Sequence, residues 1–436
     1  MSETPYVQPQ HQYEAFLRQL PADWEQKEIT QVGAVVGGGT PSRAVPSFWR
    51  GSIPWVTPGE VSSEAAKLLH DTNDHISASG LAGSGANLLP AGSLLVTTRA
   101  TLGARVINAV PMTTKQGFKS IAFKMPEEAS YYYHLFEKVK PELVRRASGT
   151  TFLEISGAEF GSIKVPSPSP DEKLKISQLL DTLDTAIHQT EAIVEKLKQV
   201  KQGLLYDLLT RGVGANGELR PCYDQAPDLY KQTPGGWIPR DWEVAPLVSK
   251  ISFPEGQVDP QRPPYRDWTL VSPDHIESQT GRLITKVSAA DQNAISGKYV
   301  FAPNDIIYSK IRPYLRKAVL AEAFGLCSAD MYPLRPNDGV APRFLLAVIL
   351  GHIYSRFAES VSMRSGFPKI NRNEMAEFSM GWPGSDEQKL IADFMEQADR
   401  EQALEEIDLQ KLQQLKAGLM DDLLTGRVRV TPLLAQ

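Results

Sequence analysis

The sequence predicts an α+β fold built twice, in the order globular segment, long helix, globular segment, long helix. Three observations carry this prediction. First, KQGLLYDLLT at Lys201 to Thr210 returns 215 residues later as KAGLMDDLLT at Lys416 to Thr425, and between Asp171 to Val213 and Asp386 to Val428 16 of 43 positions agree without a gap. Second, each repeated segment has helical periodicity. Third, the stretches upstream of them carry short β-type runs punctuated by Pro and Gly. The echo continues upstream, where PADWE at Pro21 returns as PRDWE at Pro239 and SGTTFLEISGAEF at Ser148 as the shorter SGFPKINRNEM at Ser365. The whole chain therefore reads as one unit duplicated.

In chain order, the first globular part holds the strand-like runs GSLLVTTR (Gly92 to Arg99) and SIAFKM (Ser120 to Met125), then a helical stretch near Ser130 to Arg146. Asp171 to Leu209 is the first long helix, with Leu180, Ile187, Val194, Lys201 and Leu208 in one heptad row and Leu183, Thr190, Leu197 and Leu204 in a second. Gly, Pro and Asp mark residues 212–236 as a linker. The second globular part holds NDIIYSKI (Asn304 to Ile311) and a helical stretch near Pro342 to Glu359. The second long helix, Asp386 to Leu424, repeats the seam with Met395, Gln402, Leu409, Lys416 and Leu423 beside Ala398, Glu405, Leu412 and Leu419. Gln402 and Glu405 make its middle polar, so a gap in packing or a polar partner is expected there. Ser169, Asp171 and Glu172, like Ser385, Asp386 and Glu387, put a cap and acids where the helix dipole favours them.

With 436 residues, 42% hydrophobic and 22% charged, the chain has room for two or more proper cores, and disorder is not indicated. FLLAVILGHIY from Phe344 is too short to span a bilayer, and MSETPYVQPQ lacks the basic start and apolar core of a signal peptide. The expectation is a cytoplasmic protein with no membrane partner. Cys222 and Cys327 lie far apart without metal-ligand or redox spacing, and the seven histidines are scattered, so neither a disulfide framework, a metal nor a cofactor is expected. No nucleophile sits in a recognisable elbow, and no Walker A or amino-methyltransferase signature is present, so catalysis has no address in the sequence.

The net charge of −5 is unevenly distributed. The two long helices carry five basic against seven acidic and four against eleven residues, a net of −9 that leaves +4 elsewhere. Fields at a groove matter more for anion binding than the sum over a chain, so acidity overall does not exclude DNA. VTTRATLGAR supplies Thr97, Thr98, Arg99, Thr101 and Arg105, followed by Lys115 and Lys119; IYSKIRPYLRK supplies Tyr308, Ser309, Lys310, Arg312, Tyr314, Arg316 and Lys317. SMRSGFPKINRN adds Arg364, Lys369, Asn371, Arg372 and Asn373. Such runs interleave cations for phosphates with hydroxyl, amide and aromatic groups that reach base edges; each alone reads more readily as an ordinary charged strand surface, and their recurrence in both copies shifts the balance toward DNA. VVGGGTPSR at Val35 to Arg43 lacks the Gly-Lys-Ser/Thr of a nucleotide loop. Two readings stay open for it: a turn bringing Thr40, Ser42 and Arg43 to a DNA phosphate, or a structural turn.

PSPSPDEKLKISQLLDTLDTAI and its copy GWPGSDEQKLIADFMEQAD, each following a divergent globular segment with phrases such as GSIPWVTPGEV and SGFPKI, resemble the specificity subunit of type I restriction-modification enzymes. The resemblance covers nearly the whole chain. It rests on Asp386, Glu387, Gln388 and Ile391 and on Asp171, Glu172, Lys173 and Ile176, where Lys173 replaces the usual Gln. It implies a non-catalytic, bipartite reader of double-stranded DNA with two pseudo-symmetric target recognition domains and two antiparallel spacer helices. Two methyltransferase subunits dock on the helices, and motor-nuclease subunits join through them. The implied boundaries are 1–168 and 237–383 for the recognition domains, 169–211 and 384–428 for the helices, and 212–236 for the linker. Each helix would span about 58 Å at about 1.5 Å per residue, which bounds the separation of the domains at about 17 base pairs. A coiled-coil adaptor that binds only protein is the rival reading.

Overall fold

The computed structural model describes residues 12–61, 66–149, 153–362 and 368–434. Both long helices form where the heptads place them, at Pro170–Thr210 and Ser385–Leu424. The backbone amide of Glu172 donates to Ser169 Oγ at 3.3 Å, so a serine just outside the first helix satisfies one of its orphan donors. The chain divides into two compact units, 1–191 with 408–436 and 192–407. Each unit therefore holds one globular part, the first half of the helix that follows it and the second half of the other helix.

In the first unit β1 (Gly33–Gly37), β2 (Leu68–Leu69), β3 (Leu94–Arg99), β4 (Thr101–Asn108) and β5 (Phe118–Phe123) form one sheet in the order β1-β5-β3-β4-β2. β2 runs parallel to β4 and the other pairs are antiparallel. Alternation along β3 assigns its faces. Leu94 and Val96 pack with Tyr132, Phe136 and Val139 of α1 (Ala129–Arg146), while Leu95 packs with Val56, Val61, Met112 and Phe118 on the other side. Cover on both faces explains why the strand reads as an almost unbroken apolar run. The core on the α1 side also takes Ile176 and Leu180 from the first long helix and Leu423 and Leu424 from the second.

The second unit repeats this plan with β6 (Ile251–Ser252), β7 (Ile306–Ser309), β8 (Ala318–Leu320) and β9 (Met331–Pro336), ordered β6-β9-β7-β8. The correspondence is residue by residue. Gly92 and Asn304 precede β3 and β7 with left-handed φ of 80° and 73°, and their amides donate to Asn108 O and Ala321 O, both at 2.8 Å. The single helical stretch expected over Pro342 to Glu359 is instead two helices, α2 (Pro342–Leu350) and α3 (His352–Ser362), bent by 54° at Gly351. A Cβ at Gly351 would meet Leu209 of the first long helix, so the break lets the backbone approach that helix closely. The apolarity of this pair reflects core packing of Phe344, Leu345, Val348, Ile349 and Tyr354. Among the described residues no single helix is long and apolar enough to cross a bilayer.

Residues 212–236, expected as a linker, are held against the second unit. Val213 and Tyr230 are buried, and Tyr230–Thr233 pairs with Gly236–Pro239. The polar middle of the second helix is satisfied within its own helix and from the globular part, not from a partner on the other helix: buried Gln402 donates to Glu406 at 2.7 Å, and Glu406 receives Arg282. Lys173 and Gln388 do the same task with different chemistry. Lys173 Nζ meets Glu128 at 2.9 Å, and Gln388 Oε1 accepts from the Ala341 amide at 3.0 Å, each tying a long-helix start to the shorter helix before it.

The two units close on matching ion clusters. In the first, Arg429, just past the second long helix, donates to Glu172 at 2.9 Å and to both carboxylate oxygens of Asp23 at 2.9 and 2.8 Å. In the second, Arg220, past the first long helix, clasps Glu387 and donates to Asp241 at 2.9 Å, while Trp242 Nε1 donates to Glu387 at 3.1 Å. Asp184 with Lys416 and Asp399 with Lys201 are a second matched pair, each residue 215 positions from its counterpart. Glu387 and Arg220 are each only 12% exposed, so removing the arginine leaves a nearly buried carboxylate. Arg220→Ala is expected to cost the second unit about 2–3 kcal/mol in urea unfolding, and Arg429→Ala a comparable amount in the first. Losses below about 0.5 kcal/mol for both would mean the clasps behave as surface pairs.

Candidate nucleic-acid interface

Strand direction gathers the first unit's candidates. β1 and β3 end, and β4 and β5 begin, at the same edge of the sheet, as the pairings Gly37 with Lys119, Thr97 with Phe118 and Arg99 with Thr101 require. Arg99 and Thr101 are exposed in the β3–β4 turn, and Lys115 and Lys119 are half-buried before and within β5. Arg99 lies 3.6 Å from Glu154. Thr40, bonded to Gln116, joins the glycine segment to the loop before β5. Ser42 and Arg43 are exposed; Arg43 lies over the Trp49 ring at 3.5 Å and pairs with Asp74 at 2.6 Å. Of the two readings of the glycines, packing is directly visible: a Cβ on Gly38 would strike the Lys115 carbonyl, and one on Gly39 the Gly85 backbone.

Three candidates of this unit face inward. Thr97 and Thr98 are fully buried, with hydroxyls bonded to Ala104 O and Gly117 O, because the central strand is covered on both faces until Arg99. Arg105 is folded under Tyr133, donating to its carbonyl at 2.5 Å and to Glu137 at 3.1 Å. These side chains hold the sheet and α1 together and are removed from the interface.

In the second unit the corresponding sheet edge is more cationic. Lys310 lies 4.8 Å from the Tyr332 ring centre, and Arg372 stacks on Phe253 at 4.5 Å and beside Tyr332 at 5.4 Å. Exposed Lys369 is placed there by the bridge from Ile311. Burial, then repulsion from Lys369 and Arg372, pushes the Lys310 ammonium below its ordinary pKa, with Asp330 opposing. Such crowding of cations is relieved by an anion. Arg312 and Arg316 both adopt left-handed φ of 47°, a costly conformation for arginine that presents Tyr314 to solvent. Arg312 is exposed, Arg316 donates to Gln279 at 3.0 Å, and Lys317 donates to the Pro273 carbonyl at 2.8 Å.

Tyr308 and Ser309 are buried in β7, with Ser309 bonded to Ile311 O, so they too leave the candidate surface. The side chain of Asn371 caps the helix Arg372–Ala376, accepting from the Glu374 amide at 3.0 Å, a structural task; Asn373 is exposed. Arg364 lies outside the described residues. The aromatic platforms Trp49, Phe253 and Tyr332 were missed in the sequence. Their signal would have been an aromatic close to an edge cation, which spacing along the chain hides.

One group of metal-ligand type occurs among the described residues: His134, Asp181 and Asp184. Lys67, paired with Asp181, and Lys416, paired with Asp184, already neutralise both carboxylates, which disfavours a further cation. His134 Nε2 donates to the Asp181 carboxylate at 2.7 Å inside the protein.

A model of the type I restriction modification DNA specificity domain matches residues 21–199 and 277–416. The chain belongs to that family. As a type I DNA-specificity chain it is 30% identical over 254 residues to the type I restriction enzyme MjaIX specificity subunit of Methanocaldococcus jannaschii, covering 58% of this chain and 57% of that relative's length. It is 28% identical over 397 residues to the EcoDI specificity subunit of Escherichia coli, covering 87% and 82%. Among solved structures, the type I restriction-modification S subunit from M. genitalium superposes with a TM-score of 0.56 at 12% identity, over 93% of this chain and 98% of that one, and shows the shared fold. The chain is therefore a DNA specificity subunit of the type I restriction-modification class, and nothing in these comparisons favours the adaptor.

Two outcomes test the site. Replacing Lys310, Lys369 or Arg372 by Ala should lower the slope of log affinity against log salt by about 0.9 for each phosphate left unneutralised, while Thr97→Val and Tyr308→Phe leave it unchanged. An unchanged slope in the triple variant would remove this edge from the interface. Burial holds His134 below its ordinary pKa despite the Asp181 bond. The unfolded chain then binds the extra proton, so this stabilisation is complete above about pH 6.5 and is lost as pH falls toward the folded value. The first unit should thus weaken in urea as pH falls from about 6.5 to 5.5, and His134→Gln, which retains a donor for Asp181, should weaken less over that window.

Proposed function

We propose that this subunit reads a bipartite DNA sequence, one half with each sheet edge, and carries no chemistry itself. The observation that supports it best is that each unit sets an arginine over an aromatic ring, although from segments that do not correspond: Arg43 on Trp49 after β1, and Arg372 on Phe253 at the start of a short helix. In this reading residues 1–168 and 237–383 are target recognition domains, and the helices 169–211 and 384–428 pack antiparallel as a coiled-coil spacer fixing the gap between half-sites. The segment 212–236 connects the copies. Two methyltransferase subunits dock along the acidic helix faces, motor-nuclease subunits join through them, and the assembly works in the cytoplasm.

Base choice belongs to the domains and separation to helix length, so the two should change independently. Exchanging 237–383 for the equivalent segment of a relative should alter one half of the methylated sequence in a host genome and leave the other half and the gap intact. Lengthening both helices by one turn, about 5.4 Å, should alter the gap alone, by one to two base pairs at about 3.4 Å each. A domain exchange that changed both half-sites together would overturn the modular reading.

A further inference from the structure

The two sheets differ at one position. In the first unit β2 closes the outer edge of β4: Ile107 N donates to Lys67 O at 2.8 Å and Ala109 N to Leu69 O at 2.9 Å. In the second unit no strand among the described residues pairs with the outer edge of β8, where Leu320 and Glu322 are the counterparts of Ile107 and Ala109. A cavity of about 560 Å³ opens there, lined by Leu320, Ala323, Phe324, Phe301 and Val319, among others.

The residues that receive Lys67 in the first unit all have counterparts at this cavity. Lys67 Nζ meets Ser130 Oγ at 2.5 Å and Asp181, and lies 5.5 Å from the Tyr133 ring, with Asp184 beside them. The helix repeat equates Asp181 and Asp184 with Glu396 and Asp399. The matched ties of Glu128 to Lys173 and of Ala341 to Gln388 equate Ser130 and Tyr133 with Arg343 and Leu346. Arg343, Leu346, Glu396 and Asp399 all line the cavity. The exchanges change its preference. Arg343 lies 3.4 Å from Glu396 and brings the charge that Lys67 brings in the first unit, Arg400 adds another at 3.2 Å, and Leu346 removes the aromatic face under the ammonium.

We propose that the open edge of β8 is a docking site for an extended segment of a partner polypeptide, added as a fifth strand parallel to β8 in the slot that β2 fills in the other unit. Backbone groups of Leu320 and Glu322 pair with it. A leucine-class residue at the position of Leu69, which packs against its own sheet's core, enters the cavity, while the residue before it, like exposed Leu68, lies on the opposite face. The residue before them is uncharged or acidic, because Lys201, Arg282, Lys286, Arg343 and Arg400 outnumber Glu322, Glu396, Asp399 and Glu406 around the slot. This site is separate from the DNA-reading edge and stands or falls without it.

The test uses the full chain and fluorescent peptides with the chain's own β2 sequence LLHDTND preceded by Glu, Ser or Lys. Saturable one-to-one binding is expected, with Glu and Ser preferred over Lys. N-methylation of the second leucine should weaken it about tenfold or more by removing a strand hydrogen bond. Ala323→Trp, which fills the cavity from an exposed position, should abolish peptide binding and leave DNA affinity unchanged. Arg343→Ser restores the first unit's pattern and should reverse the order in favour of Lys. If the Ala323 variant fails to fold, the N-methyl peptide and the Arg343 reversal still decide. Absence of saturable binding, indifference to N-methylation, or an unchanged peptide order in Arg343→Ser would overturn the proposal. So would self-association of the chain that Ala323→Trp abolishes, since the occupant would then be a second copy.

Discussion

Everything in the architecture depends on how a glutamate at the start of each long helix is held. Glu172 and Glu387 sit in the first turn, where the helix dipole already favours a negative charge. An arginine fork then binds each of them together with an aspartate from the strand-leading phrase PADWE or PRDWE. The arginine always comes from the polypeptide leaving the other long helix. One interaction thus joins three remote segments: the entry of a globular part, the start of the helix after it and the exit of the other helix. Neither unit can be completed by a single repeat, which is a physical reason for the duplicated phrase at the helix ends to stay alike while the sheets diverge.

A fixed frame leaves the sheet edges free to vary. In the second unit Lys310 and Arg372 rest on rings, whereas in the first Arg43 combines a ring with the Asp74 carboxylate and Arg99 lies near Glu154. Arg105 illustrates the opposite use. Paired with Glu137 and folded against Tyr133, it applies the same chemistry to packing α1. Burial and partner, not residue type, decide which cation can meet a phosphate.

That distinction marks where sequence reading ends. The helices were legible because a seven-residue period persists over five turns or more and the same pattern occurs twice; the central strands β3, β5 and β7 were legible from apolar runs, while the short edge strands were not. The candidate site was legible only as segments. VTTRATLGAR contains exposed Arg99 and Thr101 beside buried Thr97 and Thr98, and only the position of the β3–β4 turn separates them. Likewise the stretch from Pro342 has continuous helical periodicity, and its break at Gly351 depends on Leu209, a neighbour remote in sequence. The clasps were invisible for the same reason, since Arg429 and Asp23 are 406 residues apart.

Where the copies differ, they differ in compensating ways. Ser130 beside Asp181 requires an external cation, and Lys67 supplies it while carrying β2 to the sheet edge. Arg343 beside Glu396 supplies that cation from the helix itself, so the second unit has no electrostatic need for a strand at the same place. A single change at one helix position can therefore decouple a carboxylate from a whole strand, because an ion pair that is satisfied locally no longer offsets the entropy of ordering a distant segment. At the β8 edge the locally satisfied Glu396 accompanies an edge that no strand among the described residues pairs, while the paired residues Asp184 with Lys416 and Asp399 with Lys201 remain the same in both copies.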